Sequence, residues 1–116
     1  MRIGAAQIPV TTNVEDNLKN ILEACDWAVK NKLDYLLTPE CALSGYDTMS
    51  WNLNTCGPTE QAMEKLKEYS KNTGLGLAIG TLWIYDKDKQ VTGFGNGIHR
   101  NQLTFIQKGE IIGYVA

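Results

Sequence analysis

Between two short apolar runs, Val14, Leu18, Ile21, Leu22, Cys25 and Val29 recur at helical spacing and form one stripe. The first run, residues 2–10, is apolar on both of its faces, as in a strand covered on two sides. The second, residues 34–38, is closed by Pro39. Asn13 stands where a helix N-cap belongs, and Glu15 and Asp16 fall in the first turn, so a helix is expected over residues 14–31. A strand, a helix and a strand thus follow one another, and a second helix, a strand and a β-meander come after them. The chain is thereby committed to an α/β layer architecture.

A second helix and further strands follow, without an internal repeat. Residues 40–57 have no sustained period and read as a long loop, of the kind that carries function in compact domains. Pro58 suits the first position of a second helix reaching about residue 72, with Ala62, Met63, Leu66 and Tyr69 as its apolar stripe. Gly74 is expected just past that helix in the left-handed conformation. Residues 75–84 read as a buried strand and residues 85–90, rich in charge, as an exposed turn. Strands at 93–100, 103–107 and 111–115 complete a meander, with a turn at Lys108, Gly109 and Glu110. Trp27 lies opposite the first helix's stripe, where it either rests on neighbouring stems or meets another subunit.

Charge and composition narrow the function classes. Eleven Lys and Arg against thirteen Asp and Glu leave a net charge of −2, without the basic stripe of a nucleic-acid binder. No apolar run reaches the ~20 residues that span a bilayer, and the N-terminal run is interrupted by Gln7 and Pro9, unlike a signal peptide. Cys25, Cys41 and Cys56 are too far apart for a short metal-binding spacing, and reduced thiols in a cytoplasmic protein are expected. Gly74-x-Gly76 and Gly93-x-Gly95 do not lie between a strand and a following helix, so they are not dinucleotide fingerprints. No metal, nucleotide or organic cofactor is implied.

The informative segment is Thr38-Pro39-Glu40-Cys41-Ala42-Leu43-Ser44-Gly45-Tyr46. It places a carboxylate at the C-terminal end of a short strand, the end that faces the ligand crevice in α/β sheets. Desolvation there would raise the Glu40 pKa toward that of a general base. The same position also suits a carboxylate that caps the loop or pairs with a surface lysine. In an extended segment Glu40 and Cys41 point to opposite faces, which argues against Glu40 deprotonating Cys41. A Cys41–His99 dyad is a third, less economical arrangement.

Residues 2–46 resemble the N-terminal part of the nitrilase superfamily, the carbon–nitrogen hydrolases. The likeness is carried by the strand Ile3 to Val10, by Asn13 to Leu18, and by Asp34 to Glu40 followed by Ser44-Gly45-Tyr46. Residues 76–80, and Asn96 with residues 109–113, extend it over essentially the whole chain.

The resemblance implies part of a four-layer αββα sandwich, an incomplete half-domain spanning residues 1–116. It also implies hydrolysis of a non-peptide C–N bond, in a small amide or nitrile, through a cysteine thioester. Glu40 matches the family's general base, and Tyr46 either lines the substrate pocket or supports the Glu40 loop. The family's lysine would fall about one residue past Ala116, and its nucleophilic cysteine much further on. None of Cys25, Cys41 and Cys56 occupies that position. The expectation is a hydrolase portion that is inactive alone and self-associates as a homo-oligomer through apolar surface lacking its cover. The competing expectation is a small non-catalytic homologue acting as a binding or assembly module.

Overall fold

The computed structural model describes residues 1–46, 53–90 and 96–116, and of 53–56, 84–90 and 96–99 the backbone alone. Five strands and two helices follow one another as β1 (Ile3–Ala5), α1 (Val14–Lys30), β2 (Tyr35–Leu37), α2 (Leu53–Thr73), β3 (Gly76–Gln90), β4 (Asn96–Gln107) and β5 (Glu110–Val115). The sheet order is β1-β2-β3-β4-β5. β1, β2 and β3 run parallel, whereas β4 and β5 are added antiparallel. Each helical crossover steps one strand in the same direction. Right-handed crossovers in such a series leave both helices on one face of the sheet. Accordingly α1 touches β2, α2 touches β3, β4 and β5, and the helices touch each other.

The core lies between the helices and that face. Ile21, Cys25 and Ala28 of α1 and Ala62, Met63 and Leu66 of α2 meet Leu36, Leu77, Ile79 and Ile106 of the sheet. The N-terminus of α1 is set as its sequence requires, with the Asn13 side chain accepting from the Asp16 backbone N–H at 2.9 Å. The stripe is rotated slightly from the expected one. Ala28 is buried and Val29 exposed, because the buried face passes through Asn17, a polar residue that the apolar count omits. Trp27 is 54% exposed.

Four elements differ from expectation. β1 spans three residues rather than the whole apolar run, since β2 offers only Tyr35, Leu36 and Leu37 as ladder partners. Its outer face is also uncovered, with Ile3 67% exposed. α2 begins at Leu53, inside the stretch expected to be loop, and contains Pro58. Proline suits the first turn, where its missing N–H has no partner to lose, but Pro58 is the sixth residue of α2, so the helix starts upstream of the position that the proline signals. β3 runs on through residues 85–90, where a turn was expected, and Gln90 pairs with Asn96. A run of charge does not by itself end a ladder. Likewise residues 96–107 form one strand rather than two.

Turn chemistry holds where it is local. Gly74 has φ 79° and closes α2 through its N–H to Ser70 O at 2.8 Å. Lys108 and Gly109 both have positive φ, the pair that a two-residue hairpin turn needs between Gln107 and Glu110.

Candidate active site at the end of strand β2

The segment after β2 turns sharply and is held on three sides. Thr38 donates its hydroxyl to Ala78 O and accepts from the Gly80 N–H, both at 3.0 Å. The Leu43 N–H reaches Gly80 O at 3.0 Å, and Ser44 Oγ accepts from the Leu82 N–H at 2.8 Å. From below, Asn17 Nδ2 donates to Leu43 O at 3.0 Å and to Thr11 O at 2.8 Å. Gly80 has no side chain because none fits: a Cβ there would meet the Pro39 carbonyl oxygen. These contacts fasten the turn to β3, and so place Glu40 at the strand tips rather than on an outer helix.

Glu40 lines a cavity of about 380 Å³ together with Leu37, Gly80, Asn101, Leu103 and Ala116. Its carboxylate is exposed, unlike the desolvated group expected. Desolvation would need cover over the outer sheet face, which the described residues do not provide. Among the described residues, its hydrogen-bond partner is neither a backbone N–H nor a lysine. Asn101 Nδ2 donates to Glu40 Oε1 at 2.5 Å.

Cys41 departs from the extended geometry. Its φ is 53°, in the left-handed region that residues with a Cβ seldom occupy. The turn therefore brings Cys41 to the same partner as Glu40, instead of to the opposite face, and Cys41 Sγ donates to Asn101 Oδ1 at 3.5 Å. The thiol is buried, at 2% exposure. Burial, and then the neighbouring Glu40 charge, push its pKa up, against a smaller downward pull from a Ser44 hydrogen bond. A thiol held protonated in this way is a poor nucleophile. His99 lies in β4, but its side chain falls outside the described residues, as does the proposed dyad.

Tyr46 is 57% exposed. It lines a neighbouring groove with Ala5, Ile8 and Pro39, which shares Leu37 and Thr38 with the Glu40 cavity. The sequence reading missed Asn101. It sits in the polar run His99-Arg100-Asn101-Gln102, which does not single it out, and the carboxylate it meets lies 61 positions away. Among the described residues no group of three His, Cys, Asp or Glu side chains could hold a metal ion.

The family model described as Carbon-nitrogen hydrolase matches residues 2–115. The chain belongs to the carbon–nitrogen hydrolase family. It is 27% identical over 111 residues to Nitrilase homolog 2 of Dictyostelium discoideum, covering 96% of this chain and 32% of that protein. An amidase from Nesterenkonia sp. superimposes with a TM-score of 0.73 at 18% identity, over 98% of this chain and 41% of that one. A glutamine-dependent NAD(+) synthetase from Cytophaga hutchinsonii gives 0.70 at 23%, over 98% of this chain and 18% of that one. This carbon–nitrogen hydrolase chain thus spans about a third of the curated relative's length, and under half of the amidase's. Its sheet with two helices corresponds to part of their fold. No described helix is long and apolar enough to cross a membrane.

Proposed function

We propose that these residues form the general-base side of a carbon–nitrogen hydrolase active site. In this reading Glu40 takes the proton from a cysteine thiol, and the resulting thiolate attacks the carbon of a small amide or nitrile. For an amide, the nitrogen leaves with a proton, and water then cleaves the thioester with Glu40 again accepting a proton. The observation that carries the reading is the carboxylate's place in the crevice at the end of β2, with a side-chain amide already bonded to it. Structural neighbours lend support. One variant of the Nesterenkonia sp. AN1 amidase is in complex with butyramide. Another shows covalent addition of the acetamide moiety of fluoroacetamide at the active site cysteine.

Nucleophile and lysine come, in this proposal, from polypeptide outside these 116 residues. The resemblance puts the family's lysine about one residue past Ala116, and Ala116 lines the Glu40 cavity. Tyr46, in the adjoining groove, is assigned the outer wall of the substrate site. Cys25 and Cys41 are unpaired thiols, consistent with a cytoplasmic setting. The test is ammonia release from butyramide. The complete enzyme should release it and the 116-residue chain alone should not; turnover by the chain alone would overturn the proposal.

A second reading, an assembly module, is favoured by one observation. Ile3, Leu37 and Val115 are 67%, 40% and 63% exposed. Strand alternation puts them on the face away from the helices. We assign this face to self-association in either reading. Sedimentation of the chain should show a dimer or larger species at high concentration, and a strict monomer would count against it.

A further inference from the structure

We infer that Asn101 is a positioning residue for Glu40, and that the Cys41 thiol proton fixes the orientation in which Asn101 acts. The inference rests on the reading of Glu40 as the base, and it goes beyond that reading by naming what aims the carboxylate.

A carboxamide has a donor end and an acceptor end, and the two are not interchangeable. Here each end has a partner that accepts only one orientation. Glu40 Oε1 needs a donor and receives Nδ2 at 2.5 Å. The Cys41 S–H needs an acceptor and finds Oδ1 at 3.5 Å. Flipping the amide would set oxygen against carboxylate oxygen with no proton between them, and would present the thiol with an NH₂ group. Both partners therefore select the same rotamer.

The backbone supplies the rest of the device. Asn101 is carried by β4, directly opposite Leu82 of β3. The left-handed φ of Cys41 is what brings its sulfur round to the strand that Glu40 already faces. Burial keeps that thiol protonated, so it remains a donor at neutral pH. With Oε1 engaged, the second carboxylate oxygen is the one left to accept a proton, and the amide sets its direction. Charge-assisted hydrogen bonds of this kind are the stronger ones, suited to holding a group that must act at a defined angle. Cys41 then has an assigned task without being a nucleophile.

Nuclear magnetic resonance on the ¹⁵N-labelled chain tests the bridge without any turnover. The Asn101 side-chain NH₂ pair is assigned by its disappearance in Asn101→Asp. One of its protons should lie well downfield of the other, and Glu40→Leu should abolish that difference. Cys41→Ala should disturb the pair and Cys41→Ser, which keeps a donor, should restore it. Unshifted protons in the parent chain, or a pair indifferent to Glu40→Leu, would overturn the inference. In the complete enzyme, Asn101→Ala should lower kcat about a hundredfold, the scale of a misplaced reacting group. KM should stay within about twofold, as for an interaction used mainly in the transition state. Full kcat in Asn101→Ala, with Glu40→Gln inactive, would strike the positioning role alone. Full kcat in Glu40→Gln would strike the base assignment itself.

Discussion

Asn17 and Leu43 are 26 positions apart, yet Asn17 Nδ2 donates to Leu43 O at 3.0 Å from a fully buried site on α1. The same side chain donates to Thr11 O at 2.8 Å and accepts from the Thr11 N–H at 2.9 Å. One amide thus ties the start of α1 to the turn that carries Glu40. Leucine at this position keeps much of the volume but leaves two carbonyls and an N–H without their partner. Asn17→Leu should cost about 1–3 kcal/mol, chiefly the penalty for stranding the buried Leu43 carbonyl. Urea denaturation should show the midpoint falling; an unchanged midpoint would mean that the amide is dispensable.

Gly80 sets the other wall of the turn. A Cβ there would meet the Pro39 carbonyl oxygen, and backbone cannot rotate away as a side chain does. Gly80→Ala should destabilise by about 1–3 kcal/mol, the range for overpacking. It should also displace Glu40 from Asn101, read as loss of the Asn101 amide shift. Wild-type stability with the shift intact would contradict the geometry.

Cys25 makes stability depend on pH at the alkaline end. Burial first, and then the Asp26 charge, push its thiol from 9.0 to about 12. Below pH 9 both folded and unfolded chains hold the proton, and the contribution is fully present. Between about pH 9 and 12 the unfolded chain gives up the proton first, so stability falls as pH rises. Tyr69, whose hydroxyl donates to Asp26 at 2.7 Å, is shifted in the same direction by burial. Cys25→Ala should therefore reduce the slope of unfolding free energy against pH in this window without removing it. An equal slope in the variant would refute the assignment.

Cys41 gives a chemical readout of the same kind. Its thiolate is disfavoured by burial and by Glu40, so iodoacetamide should label it more slowly than a free cysteine at pH 8. Glu40→Gln removes one of the two causes and should speed the labelling, which peptide mapping separates from Cys25 and Cys56. Labelling faster than a free thiol at neutral pH would instead favour Cys41 as a nucleophile.

What was legible in the sequence was what neighbouring residues decide. Asn13 announces the start of α1 because its cap is made with Asp16, three positions on. Gly74 and Gly109 announce turns because glycine takes a positive φ without steric cost. The order of strands and helices followed from alternating helical and strand periods. The length of β1 was not legible, since it is set by the three residues that β2 offers. Nor was the reach of β3 past Tyr85, which depends on β4 as partner. At the site, Glu40 stood out by its place after a short strand and before an aperiodic stretch. Asn101 did not, because its meaning lies wholly in a contact made across 61 positions. The orientation of Cys41 was misjudged for a related reason. The alternation rule assumes extended backbone, and the chain leaves that conformation at this residue.

The most direct measurement is pre-steady-state hydrolysis of butyramide by the complete enzyme carrying these residues, comparing the parent with Glu40→Gln. If Glu40 is the base, acyl-enzyme formation and ammonia release should both slow by about 10²–10⁴-fold, the range general-base catalysis supplies. Acylation at the parent rate in Glu40→Gln would contradict the account.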